Sequence, residues 1–352
     1  MSLPQHKSSN VKAPAIGVLD PDQNRPFWSV MIPTYNPSTS YLEETLKSVL
    51  QQDLGPDKMQ IEVVDDCSND NTACEVTRRV GAGRVTFHAE SQNRGLANAW
   101  NRCIERARGH WVHILHQDDI VLPDFYARLC EGAEGSHAGA IFCRHAIVNL
   151  KGHWIDISEL HRDSAGLLDD WHASITAECL IQCAAIAVRR RVYEQLGGFL
   201  PHLHYVADWE MWQRIASQFP VWFEPSILAC YRLHPNSTTS RLRLDAADAR
   251  EVREMIDLTM AYHNPERGRV LANKARSEWA EAAVFSAREL LVKVGFEPAR
   301  RQIVEALRLS RSPRIMCKVC SFLFLWFRIT GARFKRWIKS QLNTSVHSQT
   351  SK

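Results

Sequence analysis

Along the first half of the chain, apolar positions fall into short continuous runs separated by stretches with a helical repeat. The run "WSVMIP" at 28–33 reads as a strand. After it, Leu42, Leu46, Val49 and Leu50 recur at helical intervals, and Ser40 and Glu43 have capping-box spacing. "IEVVDD" (61–66) predicts a second strand, entering a turn of Asp, Asn and Ser and then a helix through about Val80. "RVTFHA" (84–89) predicts a third, followed by a helix over 95–108 and a fourth strand, "HWVHIL". Such β-α-β-α-β alternation with short connections predicts a parallel sheet covered by helices on both faces. Further on, "CAAIAVRRRVYEQLGGF" reads as strand then helix, "VADWEMWQRIA" as a helix and "WFEPSILACYRLH" as a strand. Beyond about Leu242 the repeat is helical to the end.

Composition adds bounds to this α/β pattern. With 45% hydrophobic and 23% charged residues in 352, the chain is globular, and no apolar run approaches the ~20 residues that span a bilayer. Residues 1–26 are polar and proline-punctuated, which predicts a mobile lead-in without a secretory signal and a cytoplasmic protein. Ten scattered cysteines predict reduced thiols, and the CxxC pair Cys317 and Cys320 has no further metal ligands beside it. The net charge of +4 is uneven: residues 306–352 hold ten Lys or Arg and no Asp or Glu, leaving 33 basic and 39 acidic side chains in the first 305. That distribution argues against a nucleic-acid-binding core and points the C-terminus toward an anionic surface.

In open parallel sheets, ligands bind where the loops gather at the carboxyl ends of the strands. Three polar groups, "PTYN" (33–36), "DDCSND" (65–70) and "HQDD" (116–119), should therefore open onto one crevice. The apolar run "WVHIL" ends abruptly in His116, Gln117, Asp118 and Asp119. Adjacent carboxylates repel and resist burial, so a cation is expected beside them. Either acidic pair alone has an ordinary explanation, Asp118 and Asp119 in capping the helix near Pro123 and Asp65 and Asp66 in the turn that follows them. Two such pairs on one sheet suit a hard divalent cation, Mg²⁺ or Mn²⁺, shared between Asp118 and a diphosphate. Neither GxGxxG nor GxxxxGK[ST] occurs, so a nucleotide would be held by side chains, with Tyr35 available to stack on a base and Arg94 for phosphates. The bland alternatives are a Tyr35 packed on the sheet edge and a solvated Arg94.

The segments "SVMIPTYNP", "IEVVDDCSNDNT", "NRGLANAWNRCIERARGHWVHILHQDD", "VRRRVYEQLGGF" and "ADWEMWQRIA" together resemble the family 2 glycosyltransferases of the glycosyltransferase A-type fold, over about residues 28–240. The resemblance implies a Rossmann-like α/β nucleotide-diphospho-sugar transferase domain with a mainly parallel sheet, plus a C-terminal helical extension. It implies transfer of a sugar from a nucleotide-diphosphate donor, a UDP-sugar foremost, with inversion and a divalent metal. Pro33, Tyr35, Asp65 and Asp66 match the family's nucleoside-binding positions, Arg94 a phosphate-side position, and Asp118 the metal-contacting carboxylate of Asp-x-Asp. His116 occupies the first position of that motif, a departure that leaves a ribose or second metal contact open. Asp208 matches the general base, although an Asp before "WEMWQRIA" is also an ordinary helix N-cap. His234, in "YRLHPNS", matches a residue that approaches the metal or diphosphate. The Q-x-x-R-W signature of processive synthases is absent, which favours single additions.

The expected organisation is a lead-in over 1–26, a catalytic domain over 27–241, a helical extension over 242–312 and a basic amphipathic tail over 313–352. In the tail, Val319, Phe322, Leu323 and Trp326 share helical spacing, as do Phe334, Trp337 and Ile338, a pattern suited to an anionic membrane interface. The alternative is an amphipathic helix docked on the protein. The expected protein is thus a peripheral enzyme at the inner face of the membrane, acting on a saccharide or lipid-linked acceptor in cell-surface polysaccharide or glycolipid assembly. A polyprenyl-phosphate glycosyltransferase and a non-catalytic sugar-nucleotide-binding protein are the alternatives.

Overall fold

The computed structural model describes residues 12–20, 23–234 and 238–330. Its first half repeats strand and helix: β1 (Trp28–Thr34), α1 (Thr39–Leu50), β2 (Met59–Asp65), α2 (Thr72–Gly81), β3 (Thr86–Ala89), α3 (Leu96–Arg106) and β4 (Trp111–Ile114). These are the elements the apolar runs predict. Parallel ladders join β3 to β2, β2 to β1 and β1 to β4. Every residue of β1 is buried because the strand is covered on both sides. Val30 and Ile32 enter the core layer under α1 and α2, and Met31, pointing the opposite way, enters the layer under α3.

The middle of the chain adds β5 (Ile120–Val121), α4 (Phe125–Gly135), β6 (Ala140–Val148), β7 (Trp154–Ile157), β8 (Gly166–Leu167), α5 (Trp171–Ala177), β9 (Ile186–Arg189), α6 (Arg190–Leu196), α7 (Ala207–Ala216) and β10 (Val221–Arg232). The sheet runs β3-β2-β1-β4-β9-β6-β10-β5, with β7 on β6 and β8 on β10. It is mainly parallel, as expected, but β9 runs antiparallel between β4 and β6. The chain turns back at β1, whose neighbours β2 and β4 carry it in opposite directions across the sheet, and such a switch point opens a crevice at the strand ends.

Three sequence expectations need correction. The lead-in is not mobile throughout: Ile16 is 4% exposed, Gly198 N–H donates to Pro14 O, Arg190 Nη1 donates to Gly17 O, and Leu19 N–H reaches Glu194. Residues 13–19 are a strap along α6. The Ser40–Glu43 capping box does not form, because α1 begins two residues earlier with Ser38 at the cap and Glu43 is taken by Lys47 and Arg79. Asp208 is not the cap of α7. Val206 holds that position, and Asp208 is the second helical residue.

Beyond β10 the chain is helical: α8 (Thr238–Leu244), α9 (Ala247–Thr259), α10 (Pro265–Lys293), α11 (Phe296–Leu309) and α12 (313–330). Buried alanines along α10, Ala272, Ala275, Ala280, Ala283 and Ala287, let its neighbours approach closely. Trp279 on α10 lies 5.4 Å from Trp209 and 6.1 Å from Tyr205 by ring centroids, joining the extension to α7 of the α/β part. α12 is docked as well. Ile315, Val319 and Phe322 are buried, Trp326 stacks on Phe296 at 4.5 Å, and Arg314 and Lys318 meet Glu281. Val319, Phe322 and Trp326 therefore face protein rather than a membrane, while Phe334, Trp337 and Ile338 lie outside the described residues. Among the described residues no helix is long and apolar enough to cross a membrane.

Candidate active site

The loops after β1, β2 and β4 are stitched together by hydrogen bonds, as expected of one crevice. Gln117 Oε1 accepts from Tyr35 N–H at 2.8 Å, and Gln117 Nε2 donates to Tyr35 O at 3.3 Å, so one amide clasps the backbone of the residue proposed to meet a base. The Tyr35 ring is left exposed. Pro33 is buried in β1 beside Val64, where it fixes the strand end beneath the loop. Asn36 N–H donates to Ser68 Oγ and Asn69 N–H to Asn36 Oδ1, both at 2.8 Å.

Both carboxylates after β2 are buried and used locally. Asp65 accepts from Thr34 Oγ1 (2.9 Å), Ser68 Oγ (2.6 Å) and Ser68 N–H (2.8 Å). Asp66 accepts from the backbone N–H groups of Arg94 and Gly95 at about 3.0 Å, which pins the turn into α3. Burial pushes the Asp66 carboxyl up despite those donors. The turn-forming role first weighed as a bland alternative is thus real for both residues. The guanidinium of Arg94 is exposed and has no partner among the described residues.

The cation expected beside the carboxylates at the end of β4 is in part Arg232. That side chain, buried at the end of β10, donates from Nε to Asp118 O (3.0 Å) and from Nη2 to Glu44 (2.6 Å), while its N–H donates to Asp119 Oδ1 (2.9 Å). Its guanidinium also lies 4.4 Å over the Tyr41 ring. Asp119, 1% exposed, is pushed well above the usual carboxylate range by burial and by the charge of Asp118. It serves the turn more than the crevice.

Asp118 is different. Its carboxylate is half-buried, and His234 Nε2 lies 2.7 Å from Asp118 Oδ2, bringing together the two residues expected at a metal. No group of three His, Cys, Asp or Glu able to hold an ion occurs among the described residues. His116 does not join them: its ring stacks on Trp100 at 5.1 Å, Nδ1 lies 3.6 Å from Asp119 Oδ2, and Nε2 is buried without a hydrogen bond. Burial lowers its pKa and keeps the imidazole neutral.

Asp208 lies beside a thiol. The Cys183–Ala185 turn packs against β4, β5, β6 and β10, and Cys183 Sγ approaches Asp208 Oδ2 at 4.0 Å. Burial, then the charges of Asp208 and Asp119, hold that thiol un-ionised. Burial also pushes the Asp208 carboxyl up to about 6, against the N–H of Trp209, which donates to Oδ1 at 2.7 Å. Three contacts of the candidate site lie beyond the sequence reading: those of Gln117, Arg232 and Cys183. Gln117 stands inside the "HQDD" motif and Arg232 two residues before His234, so their places were visible although their partners were not. The described structure also has an open cavity of about 560 Å³ beside α9 and the end of α11, and it shares no residue with this site.

Residues 29–197 match the family described as glycosyl transferase family 2. A Bacillus subtilis protein named as a teichuronic acid biosynthesis glycosyltransferase, TuaG, is 27% identical over 220 residues, covering 61% of this chain and 82% of its own. Among solved structures, S. aureus TarS in complex with UDP-GlcNAc is 17% identical with a TM-score of 0.61, over 80% of this chain and 79% of that one. The mannosyltransferase PcManGT from Pyrobaculum calidifontis, in complex with GDP-Man and Mn²⁺, is 21% identical with a TM-score of 0.55, over 93% and 92% of the two chains. At those identities the two structures establish a shared fold.

Proposed function

Residues 29–197 belong to glycosyl transferase family 2, and from that premise we propose that the protein is an inverting glycosyltransferase moving a sugar from a nucleotide-diphosphate donor to a hydroxyl acceptor. A UDP-sugar, the donor class bound by TarS, is the proposed substrate, and a saccharide or lipid-linked alcohol in cell-surface polysaccharide assembly, as TuaG's name suggests, the proposed acceptor. One observation carries the reading: Asp208, its carboxyl raised to about 6, lies 4.0 Å from the Cys183 thiol, which also feels the charge of Asp119, and the adjoining Asp118 meets His234 at 2.7 Å. Displacement at an anomeric carbon needs a base for the incoming alcohol and charge compensation for the departing diphosphate.

Asp208 takes the acceptor proton. With a pKa near 6 it is mostly ionised at neutral pH yet more basic than an ordinary Asp. Tyr35, clasped by Gln117, stacks on the base, and Asp65 and Asp66 line the nucleoside side. Arg94 answers the diphosphate with its free guanidinium. The Asp118 oxygen and His234 nitrogen fit a hard divalent cation, Mg²⁺ or Mn²⁺, whose remaining positions are left to donor oxygens and water. Such an ion would compensate charge on the leaving diphosphate.

Calorimetric titration with UDP-sugars tests the donor side. Binding should require a divalent cation, and Asp118→Asn should weaken it more than Asp119→Asn, since Asp119 is engaged by Arg232. Donor affinity unchanged by chelator would overturn the metal assignment.

A further inference from the structure

α12 carries two apolar faces. One is the buried stripe that docks it on the extension; the other looks outward and consists of Met316, Cys317, Cys320, Leu323, Phe324 and Phe327. All six are exposed, Phe324 by 65% and Phe327 by 64%. At 3.6 residues per turn they fall within an arc of about 120° that contains no charged side chain. Arg314, Lys318 and Arg328 follow one edge of that arc. Arg314 and Lys318 share the single carboxylate of Glu281, and Arg328 has no carboxylate partner among the described residues.

We propose that this outward face of α12 lies in the interface of an anionic lipid surface, with the aromatic side chains among the acyl-chain boundaries and the edge cations at the headgroups. Exposed contiguous apolar surface of this kind marks an interaction site. Charge selects the occupant: residues 306–352 contain ten Lys or Arg and no Asp or Glu, so a second copy would bring like charge to the same edge, whereas anionic headgroups are complementary. Geometry selects the mode. The opposite face of α12 stays buried on protein and no described helix can span a bilayer, so the helix lies in the membrane plane. Of the stripe expected from sequence, Val319, Phe322 and Trp326 form the docking face, whereas Leu323 is exposed and belongs to the outward face. This inference is independent of the sugar-transfer chemistry.

Co-sedimentation of the full chain with phosphatidylglycerol-containing and pure phosphatidylcholine vesicles tests it. The wild type should partition to the anionic vesicles and be released as salt rises. Phe324→Ser with Phe327→Ser should lower that partitioning about tenfold or more while leaving Tm unchanged, because both rings are exposed, and the same two positions as Leu should retain binding. Equal sedimentation of the Ser variant would place vesicle affinity in another segment and overturn the proposal. So would a concentration-dependent dimer abolished by the Ser variant, with no vesicle binding.

Discussion

The base role proposed for Asp208 sets two opposed demands, since a base must be ionised to take a proton and burial resists ionisation. Its carboxyl is raised from 3.8 to about 6, so the folded protein holds that proton more tightly than the unfolded chain does. The stability it contributes is therefore fullest below pH 3.8 and is lost as pH rises through about 6. Asp208→Asn should keep donor affinity, lose turnover by roughly 10²–10⁴-fold, and at pH 7 gain melting temperature, by about 2–4 °C per kcal/mol recovered. The gain should vanish near pH 4, and the wild-type acid limb of kcat should fall near pH 6. Donor titration, turnover and thermal melts across that pH range check these outcomes, and an active Asn variant would favour a phosphate acceptor that needs little base assistance. Asp65, Asp66 and Asp118 were legible as candidates because carboxylates are costly at strand ends without a use. Arg232 was not, since its role depends on contacts 113 and 188 residues away, to Asp119 and Glu44.

Helix α7 positions Asp208 through a buried charge network. Arg214 donates to both Glu210 oxygens and to the carbonyls of Leu196 and Gly198, and Glu210 also accepts from Tyr262 Oη. Glu210 is fully buried, so removing its cation strands a charge. Arg214→Leu should cost about 3–5 kcal/mol in denaturant unfolding, and adding Glu210→Leu should recover part of that loss. The elements of the first half were readable because each apolar run and helical repeat is local. Strand direction is not local. β9 has the same Ile-Ala-Val pattern whether it runs parallel or antiparallel, and only its pairing with β4 and β6 decides. β5 and β8, two residues each, and β7, with every residue exposed, are too short or too polar in setting to leave a repeat. On α12 the spacing was read correctly, but 3.6-residue periodicity cannot say whether a stripe faces protein or solvent when two stripes share the helix.

The helical extension is joined to the catalytic layer through aromatic contact, with Trp279 against Trp209, the neighbour of Asp208. Trp279→Ala should lower stability by about 2–4 kcal/mol and reduce kcat more than it changes donor affinity, because the gap opens behind the base rather than at the nucleotide loops. Denaturant unfolding with steady-state kinetics reads both effects. The strap along α6 has a consequence in time. Gly17 and Leu19 find partners 173 and 175 residues later, at Arg190 and Glu194. At ~5–20 residues per second of synthesis, those partners leave the ribosome roughly ten to thirty-five seconds after the strap does. This early segment is thus fastened only after β1 to β9 have all been made, and a nascent chain halted before α6 should be cut by protease at residues 13–19, whose backbone the finished protein holds through Pro14, Gly17 and Leu19.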